Sequence, residues 1–200
     1  ISFYTFQNIS YLVDVYRKNI DNEKNFILFS FDITFFPQLV AGPILRANEV
    51  IPQFKNRAPF SIDNISIGVR RILYGLFLKV VLADQISGLV DEGFSVSAYN
   101  LSPLDIWTLS FLFGFQIYFD FSGYSHIAIG SARLIGIRFP ENFNFPYLSN
   151  TPKEFWKRWH ISLSSWVRDY LYLPLIGKKN LNKSLGGISV AIEKTSFFPL

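Results

Sequence analysis

Long apolar stretches alternate with short polar loops along this chain. The first stretch, residues 25–45, contains a single charged side chain, Asp32, and is about as long as a helix that crosses a bilayer. Pro37, Gly42 and Pro43 interrupt this stretch, and such breaks are tolerated at membrane depth only where the backbone is buried in protein. The pattern therefore predicts a first span that is broken or re-entrant.

Residues 65–90 form a second apolar stretch, in which charged side chains separate the apolar runs. Arg70 and Arg71 lie near one end of it, and basic residues are enriched on the cytoplasmic side of membrane spans. They therefore predict a cytoplasmic boundary at that end. Lys79 interrupts the stretch, and we expect its ammonium either to reach the membrane surface or to pair with Asp84.

Two further uncharged runs, residues 106–119 and 121–131, lie on either side of Asp120, and each is short for a full span. Small side chains, which let helix backbones approach closely, are concentrated near the second run. These residues are Ser122, Gly123, Ser125, Ala128, Gly130, Ser131 and Ala132. The pattern predicts a polytopic, all-α transmembrane bundle of closely packed helices. Asp120 is costly there unless it pairs with a basic residue or lines a polar cavity.

The clearest local signal for a helix begins at Thr151. Thr151 is a helix-capping residue, Pro152 fits the first helical position, and Glu154 completes a capping box. Apolar and aromatic residues, with one histidine, then recur at three- and four-residue spacing, which places them on one helix face. They are Phe155, Trp156, Trp159, His160, Leu163, Trp166, Val167 and Tyr170. The pattern predicts one amphipathic helix that lies along the membrane interface or dips into the bundle.

The composition also favours a membrane protein. Half of the 200 residues are hydrophobic and only 17% are charged, against about 25% in soluble domains. The net charge of +4 is scattered, which argues against a nucleic-acid-binding arm. Cysteine is absent, which excludes a disulfide, a thiolate metal site and a cysteine nucleophile within this stretch. Methionine is absent even from position 1, so we expect the chain to be a piece of a longer protein.

His126 and His160 are the two histidines, and histidine is the residue that most often transfers protons in enzymes. His160 lies among tryptophans and leucines, where an apolar surround favours the neutral, basic imidazole. Such an imidazole can take the proton of a hydroxyl that attacks an acyl carbonyl, which is acyl-transfer chemistry. The same pattern also fits a hydrogen-bonded core histidine or an interfacial one. His126 could hydrogen-bond across helices to a hydroxyl.

Three classes of function stay open on the pattern alone. The first is an enzyme that uses His160. The second is a transporter or channel segment, favoured by the break near Pro37 and by Asp32, Asp120 and His126 at membrane depth. The third is a non-catalytic scaffold, which would need the aromatic face but not the imidazole. The sequence has no glycine-rich phosphate loop, zinc-protease motif or serine nucleophile elbow, and we expect no metal site.

Residues 154–175, with the core Trp159-His160-Ile161-Ser162, resemble the membrane-bound O-acyltransferase motif in its bacterial alginate O-acetyltransferase-like branch. Four other stretches extend the resemblance: residues 1–17, 36–44, 75–84 and 120–125. It covers residues 1–176, which we interpret as the central part of a membrane-bound O-acyltransferase domain. Residues 177–200 are interpreted as a divergent or truncated tail.

The resemblance implies a multi-pass protein of the bacterial cytoplasmic membrane with a buried tunnel, in which His160 is catalytic. The resemblance also implies residues that line the substrate path or support the catalytic histidine. They are Trp156, Trp159, Ser162, Asp169 and Asp120. It implies an O-acyltransferase with no bound cofactor and an acyl donor such as acetyl-CoA or an acyl carrier thioester. The acceptor is expected to be a hydroxyl of alginate, another exopolysaccharide, peptidoglycan or teichoic acid.

The expected partners are the lipid bilayer and a periplasmic or extracellular acetyltransferase, with no nucleic acid. The sequence departs from the family pattern in two places. His126 stands where an acid is common, and the family's second histidine, expected on a later span, is missing because none follows His160. We therefore expect this stretch to be inactive by itself.

Overall fold

The computed structural model describes residues 3–39, 42–56, 59, 61–96 and 100–177. All regular secondary structure in these residues is helical, which confirms the predicted all-α class. The helices are α1 (Phe3–Tyr16), α2 (Phe26–Thr34), α3 (Ala47–Lys55), α4 (Ile62–Leu76), α5 (Asp84–Ser95), α6 (Pro103–Leu134), α7 (Pro152–Arg158), α8 (Ile161–Trp166) and α9 (Leu173–Leu175). Short 3-10 turns cover Phe36–Gln38 and Pro146–Leu148, and π-helical turns cover Phe77–Ala83 and Val167–Tyr172.

The chain divides into two compact units, Ile1–Ser164 and Ser165–Leu200. In the second unit the described residues continue the helical run through the π-helical turn to α9, and Gly177 is the last of them. The predicted tail over 177–200 lies almost wholly outside the described residues. The division at residue 176 stays a prediction.

Helices α4 and α6 make the closest contact in the first unit, and glycines allow it. A Cβ on Gly75 would lie 2.6 Å from the carbonyl oxygen of Gly123, and one on Gly123 would lie 2.9 Å from the carbonyl oxygen of Gly75. Gly68 and Gly130 form a second pair of the same kind, at 2.9 and 2.7 Å. The two backbones therefore touch without intervening side chains, as the concentration of small residues in α6 predicted.

A compact apolar cluster lies where the end of α2 meets α3, the C-terminal part of α6 and the chain that follows α6. Its buried members are Phe35, Leu45, Val50, Ile129, Ala132, Ile137 and Phe139. Phe35 packs edge-to-face against Phe54 at a ring-centroid distance of 5.1 Å and against Phe139 at 5.8 Å. This cluster fixes the start of the loop that leads from α6 to the segment containing His160.

Among the described residues, none of the helices is both long and apolar enough to cross a bilayer. The stretch over residues 25–45 is broken, as predicted: α2 ends at Thr34, and a 3-10 turn over Phe36–Gln38 follows. The separation of residues 106–119 from 121–131 is wrong, because α6 runs through both. Its N-terminus has a capping box between Ser102 and Asp105, and no proline or glycine break separates the two runs.

The expected pairing of Lys79 is confirmed. The Lys79 ammonium lies 2.6 Å from a carboxylate oxygen of Asp84 and 2.7 Å from one of Asp120. Lys79 belongs to the π-helical turn between α4 and α5, whereas Asp120 belongs to α6. The pairing thus ties that turn to α6 and compensates the charge of Asp120.

Candidate functional site

The predicted helix over residues 151–170 begins at the expected residue but does not continue. The predicted capping box is incomplete, because the Glu154 carboxylate accepts from the Asn150 N–H at 3.1 Å and not from the Thr151 N–H. The Thr151 hydroxyl accepts a hydrogen bond from the Glu154 backbone N–H at 3.1 Å, and Pro152 is the first helical residue. Helix α7 then ends at Arg158, and α8 begins at Ile161. The prediction of one uninterrupted helix is therefore wrong, and His160 does not share a helix face with the residues on either side of it.

The break lies at His160, whose φ angle of +43° is in the left-handed region. This conformation costs a non-glycine residue about 1–2 kcal/mol. The loop before α7 supplies hydrogen bonds that compensate for it. The Ile161 N–H donates to the Asn142 carbonyl at 2.9 Å, and the Asn144 N–H donates to the Arg158 carbonyl at 2.9 Å. These tertiary bonds take the place of helical bonds across the break.

The His160 imidazole is buried, with 8% of the residue exposed. It packs edge-to-face against the Phe121 ring of α6 at a centroid distance of 4.7 Å. The Nε2 atom is buried and has no hydrogen-bond partner within the described part of the chain. Burial lowers the pKa of His160 to about 4, because desolvation disfavours the imidazolium ion. The imidazole is therefore neutral near pH 7, with one ring nitrogen available to a ligand.

A cluster of aromatic rings extends from Phe121, which contacts this imidazole. We call it the aromatic wall, and its members are Tyr118, Phe121, Phe143, Tyr147, Phe155 and Trp159. Trp159 contacts Phe143 edge-to-face at 5.1 Å and stacks on Phe155 at 5.6 Å. The Tyr147 hydroxyl donates to the Gly114 carbonyl at 2.6 Å and so ties the loop to α6. The Phe121 ring displaces water from one side of the His160 imidazole, and the other rings pack around Phe121 and Trp159.

Asn142, which is fully buried, lies at the centre of a polar network beside His160. Its Oδ1 accepts hydrogen bonds from the Ser162 backbone N–H at 3.3 Å and from the Ser162 hydroxyl at 2.9 Å. Its Nδ2 donates to the Ser125 hydroxyl of α6 at 3.2 Å. The Ser162 hydroxyl in turn accepts from the Ile44 N–H at 3.0 Å. We call these residues, Asn142 with Ser125, Ser162 and Ile44, the Asn142 network.

The structure brings together only some of the predicted site residues. Trp159 lies in the aromatic wall, and Ser162 belongs to the Asn142 network. Trp156 is 58% exposed and contacts the Phe155 ring. Asp120 pairs with Lys79, and Asp169 is a buried residue of the second unit whose carboxylate pairs with the neighbouring arginine. The roles assigned to these residues stay predictions.

His126 lies in a separate polar group. Its Nδ1 is 2.8 Å from the guanidinium of Arg71, which also forms an ion pair with Glu141. The His126 ring packs edge-to-face against Tyr74 at 4.8 Å. Because Arg71 can only donate, the Nδ1 of His126 acts as the acceptor in this contact. These contacts give His126 a structural role, as a link between α4, α6 and the loop before α7.

Sequence reasoning did not select Asn142, Phe121 or Phe143 for the site. Asn142 lies in the polar stretch before Thr151, and Phe121 was noted only as part of an apolar run. The signal for Phe121 was its position next to Asp120 in a stretch that resembles the family. No local signal distinguishes a fully buried asparagine in a loop from the exposed asparagines nearby.

The arrangement offers a neutral imidazole against an aromatic wall. It can accept a proton from an alcohol and return that proton to a leaving group. Groups of three or more histidine, cysteine, aspartate or glutamate side chains that could hold a metal ion are not found in the ranges that the structure describes.

The sequence was compared with known proteins. Residues 22–190 match the model of MBOAT, the membrane-bound O-acyltransferase family. The chain is 45% identical over 179 residues to the probable alginate O-acetylase AlgI of Pseudomonas aeruginosa, which covers 90% of this chain and 34% of that protein. It is 38% identical to the peptidoglycan O-acetyltransferase of Helicobacter pylori, over 90% of this chain and 39% of that protein.

A third relative, the teichoic acid D-alanyltransferase of Streptococcus thermophilus, is 32% identical over 88% of this chain and 43% of its own length. The names of all three relatives describe the transfer of an acyl group. They differ in the polymer named, which is alginate, peptidoglycan or teichoic acid. The chain spans about a third of the length of the alginate O-acetylases that it matches.

Proposed function

Because this chain belongs to the membrane-bound O-acyltransferase family, we propose that it carries the proton-transfer residue of an enzyme that acylates hydroxyl groups of a polymer. The residue is His160. The observation that carries the proposal is its buried imidazole, whose Nε2 has no partner in the described part of the chain. A buried polar atom without a partner is costly, and such atoms occur where a substrate supplies the missing hydrogen bond.

The proposed reaction has two proton transfers. The Nε2 of His160 accepts the proton of an acceptor hydroxyl while the hydroxyl oxygen attacks the carbonyl carbon of an acyl thioester. A new ester C–O bond forms and the C–S bond breaks. The imidazolium then gives its proton to the departing thiolate, which leaves as a thiol. The neutral imidazole is restored without any further reactant.

The surroundings of His160 support this role. Phe121 keeps water from one side of the imidazole, which limits hydrolysis of a thioester held there. The low pKa of His160 keeps the imidazole in its basic form at neutral pH. The same low value makes the imidazolium a strong acid once it forms, which favours return of the proton to the leaving group.

We further propose acetyl-CoA or an acyl carrier thioester as the donor. The proposed acceptor is an exported polysaccharide or cell-wall polymer, since the names of the relatives specify alginate, peptidoglycan and teichoic acid. The proposed location is the bacterial cytoplasmic membrane, as a multi-pass protein, and the proposed partner is a periplasmic or extracellular acetyltransferase. Exposed apolar side chains along the first half of α6, including Trp107 and Phe111, provide a surface suited to lipid.

The test is the acyl content of the surface polymer in cells that express the complete gene product. We compare the native sequence with His160→Gln at matched abundance in the membrane. Removing a general base typically costs about 100- to 10,000-fold in rate, so acylation should become undetectable. His126→Gln is the matched control, because a glutamine oxygen can still accept from Arg71, and its acylation should stay close to native.

Native acylation in the His160→Gln protein would overturn the assignment. It would instead favour a scaffold, which needs the aromatic wall but not the imidazole. Equal losses in the His160 and His126 variants would mean that either substitution acts by damaging the fold.

A further inference from the structure

The backbone at His160 is held by the same short loop on both sides. Asn142 accepts from the N–H of Ile161, one residue after His160, and Asn144 donates to the carbonyl of Arg158, two residues before it. The side chain of Asn142 adds two bonds to Ser162. With the bond from the Arg158 guanidinium to the Asn144 carbonyl, five hydrogen bonds join two loop residues to residues 158–162, which include the left-handed His160.

The loop itself has fixed attachments. Glu141 pairs with Arg71 of α4, and Asn142 donates to Ser125 of α6. Helices α4 and α6 are locked together by the two glycine pairs, so both attachments belong to one rigid unit. The position of Asn142 is thus set by the tightest helix contact in this part of the chain.

Without these hydrogen bonds, the local sequence of residues 151–166 favours one continuous helix. The segment has a capped N-terminus, no internal proline or glycine after Pro152, and an amphipathic pattern that continues through residue 160. A continuous helix would place His160 on the face shared with Trp156 and Leu163. The imidazole would then leave its place against Phe121.

We infer that Asn142 is a positioning residue, whose hydrogen bonds hold His160 in the left-handed conformation that points its imidazole at the reaction site. The inference rests on the proposed function of His160, and it assigns a role to a residue that touches neither substrate. Asn142 acts by selecting the broken form of the α7–α8 segment over the continuous helix.

The experiment uses the complete gene product in isolated membranes, with an acyl thioester donor and the polymer acceptor. The variants are Asn142→Ala, which removes the side-chain bonds, and Asn142→Asp, which keeps an oxygen to accept both bonds from Ser162. In the aspartate variant the Ser125 hydroxyl can turn to donate. Asn48→Ala is the control, because Asn48 is an exposed residue of α3.

For Asn142→Ala we expect kcat to fall on the order of 100-fold, because a misplacement of about 1 Å in a reacting group has that effect. The KM for the donor should stay within about threefold of native, since the inferred role concerns the orientation of His160 and not donor binding. Asn142→Asp should recover most of the lost rate, and Asn48→Ala should match the native protein.

The pH profile separates positioning from a general loss of folded protein. If the imidazole leaves its buried place, its pKa rises toward 6.5, so the acid limb of kcat should move to higher pH in Asn142→Ala. A lower amount of folded enzyme would scale the whole profile and leave the limb unmoved. If Asn142→Ala does not accumulate, Ser125→Ala removes one bond of the network and should move the limb in the same direction.

The positioning role would be overturned if Asn142→Ala or Ser125→Ala kept the native kcat per folded molecule and the acid limb of its pH profile did not move. That result leaves the proposed function standing if His160→Gln is still inactive. Native activity of His160→Gln would instead remove the proposed function, and the positioning role with it.

Discussion

The contact between α4 and α6 and the segment around His160 are stabilised in opposite ways. In the helix pair, side chains are absent where Gly75 meets Gly123, and the two backbones approach directly. Around His160, the backbone is bent away from its preferred helix, and the side chain of Asn142 holds it there. The first region uses close packing to be rigid, and the second uses hydrogen bonds to stay in an unfavourable conformation.

Folding stability and activity therefore depend on different regions, the α4–α6 contact and the segment around His160. Close packing of backbones tolerates almost no added volume but depends on no single polar atom. A buried hydrogen-bond network tolerates small changes in volume but fails when one partner is removed. Substitutions in the first region should therefore reduce the amount of folded protein, whereas substitutions in the second should reduce activity per folded molecule.

The largest effect on stability is expected for Gly75→Ala. The added Cβ would lie 2.6 Å from a backbone carbonyl oxygen of α6, which cannot move without shifting the helix. Overpacking of this kind costs about 1–3 kcal/mol, and we expect the upper part of that range. The measurement is the midpoint of thermal unfolding in detergent, followed by tryptophan fluorescence.

The matched control is Gly88→Ala in α5, where an added Cβ has nothing within 4 Å. This substitution should be neutral or stabilising by up to about 1 kcal/mol, because alanine is the better helix former. Equal stabilities of the two alanine variants would refute the close contact of α4 with α6.

The next effect is a pH dependence of stability that belongs to His160. Its folded pKa of about 4 lies below the unfolded value of 6.5, so the unfolded chain binds a proton that the folded chain does not. The free energy of unfolding should therefore fall as the pH drops below 6.5. The contribution lost between pH 8 and pH 5 is about 2 kcal/mol.

Subtracting the stability of His160→Gln from that of the native protein at each pH isolates this contribution, because all other titrating groups are shared. A difference that stays constant from pH 8 to pH 5 would mean that the imidazole is solvated in the folded state.

The smallest effect is expected at the N-terminus of α7. Thr151→Ala removes the hydroxyl that accepts from the Glu154 N–H, and loss of such a cap costs about 1 kcal/mol. Thr151→Ser keeps the hydroxyl and should behave as native. Hydrogen exchange of the α7 amides should quicken in the alanine variant alone, and equal exchange in both variants would show that the cap is dispensable.

Sequence reasoning succeeded where local chemistry decides the outcome. The capped start at Thr151, the pairing of Lys79 with Asp84 and the small residues between helices all follow from the types of neighbouring residues. The resemblance selected His160. Its position in a break between two helices was not predicted and is seen only in the structure.

Prediction failed where distant residues override a local preference. The periodic pattern over residues 151–170 is a genuine helix signal, and nothing within it indicates that Asn142 and Asn144 will take over its backbone bonds. Likewise the polar Asp120 suggested a boundary in α6, but Lys79 compensates its charge and the helix continues. Both errors come from interactions between segments that are far apart in sequence.

The hydrogen bond between Ile44 and Ser162 joins residues 118 positions apart. A ribosome must therefore release Ser162 before Ile44 can find its partner, and the network around His160 closes only after more than half of this sequence has been made. Contacts of such long range form late because the intervening chain must first be ordered. Any chain that ends before Ser162 therefore leaves the Ile44 N–H without this partner.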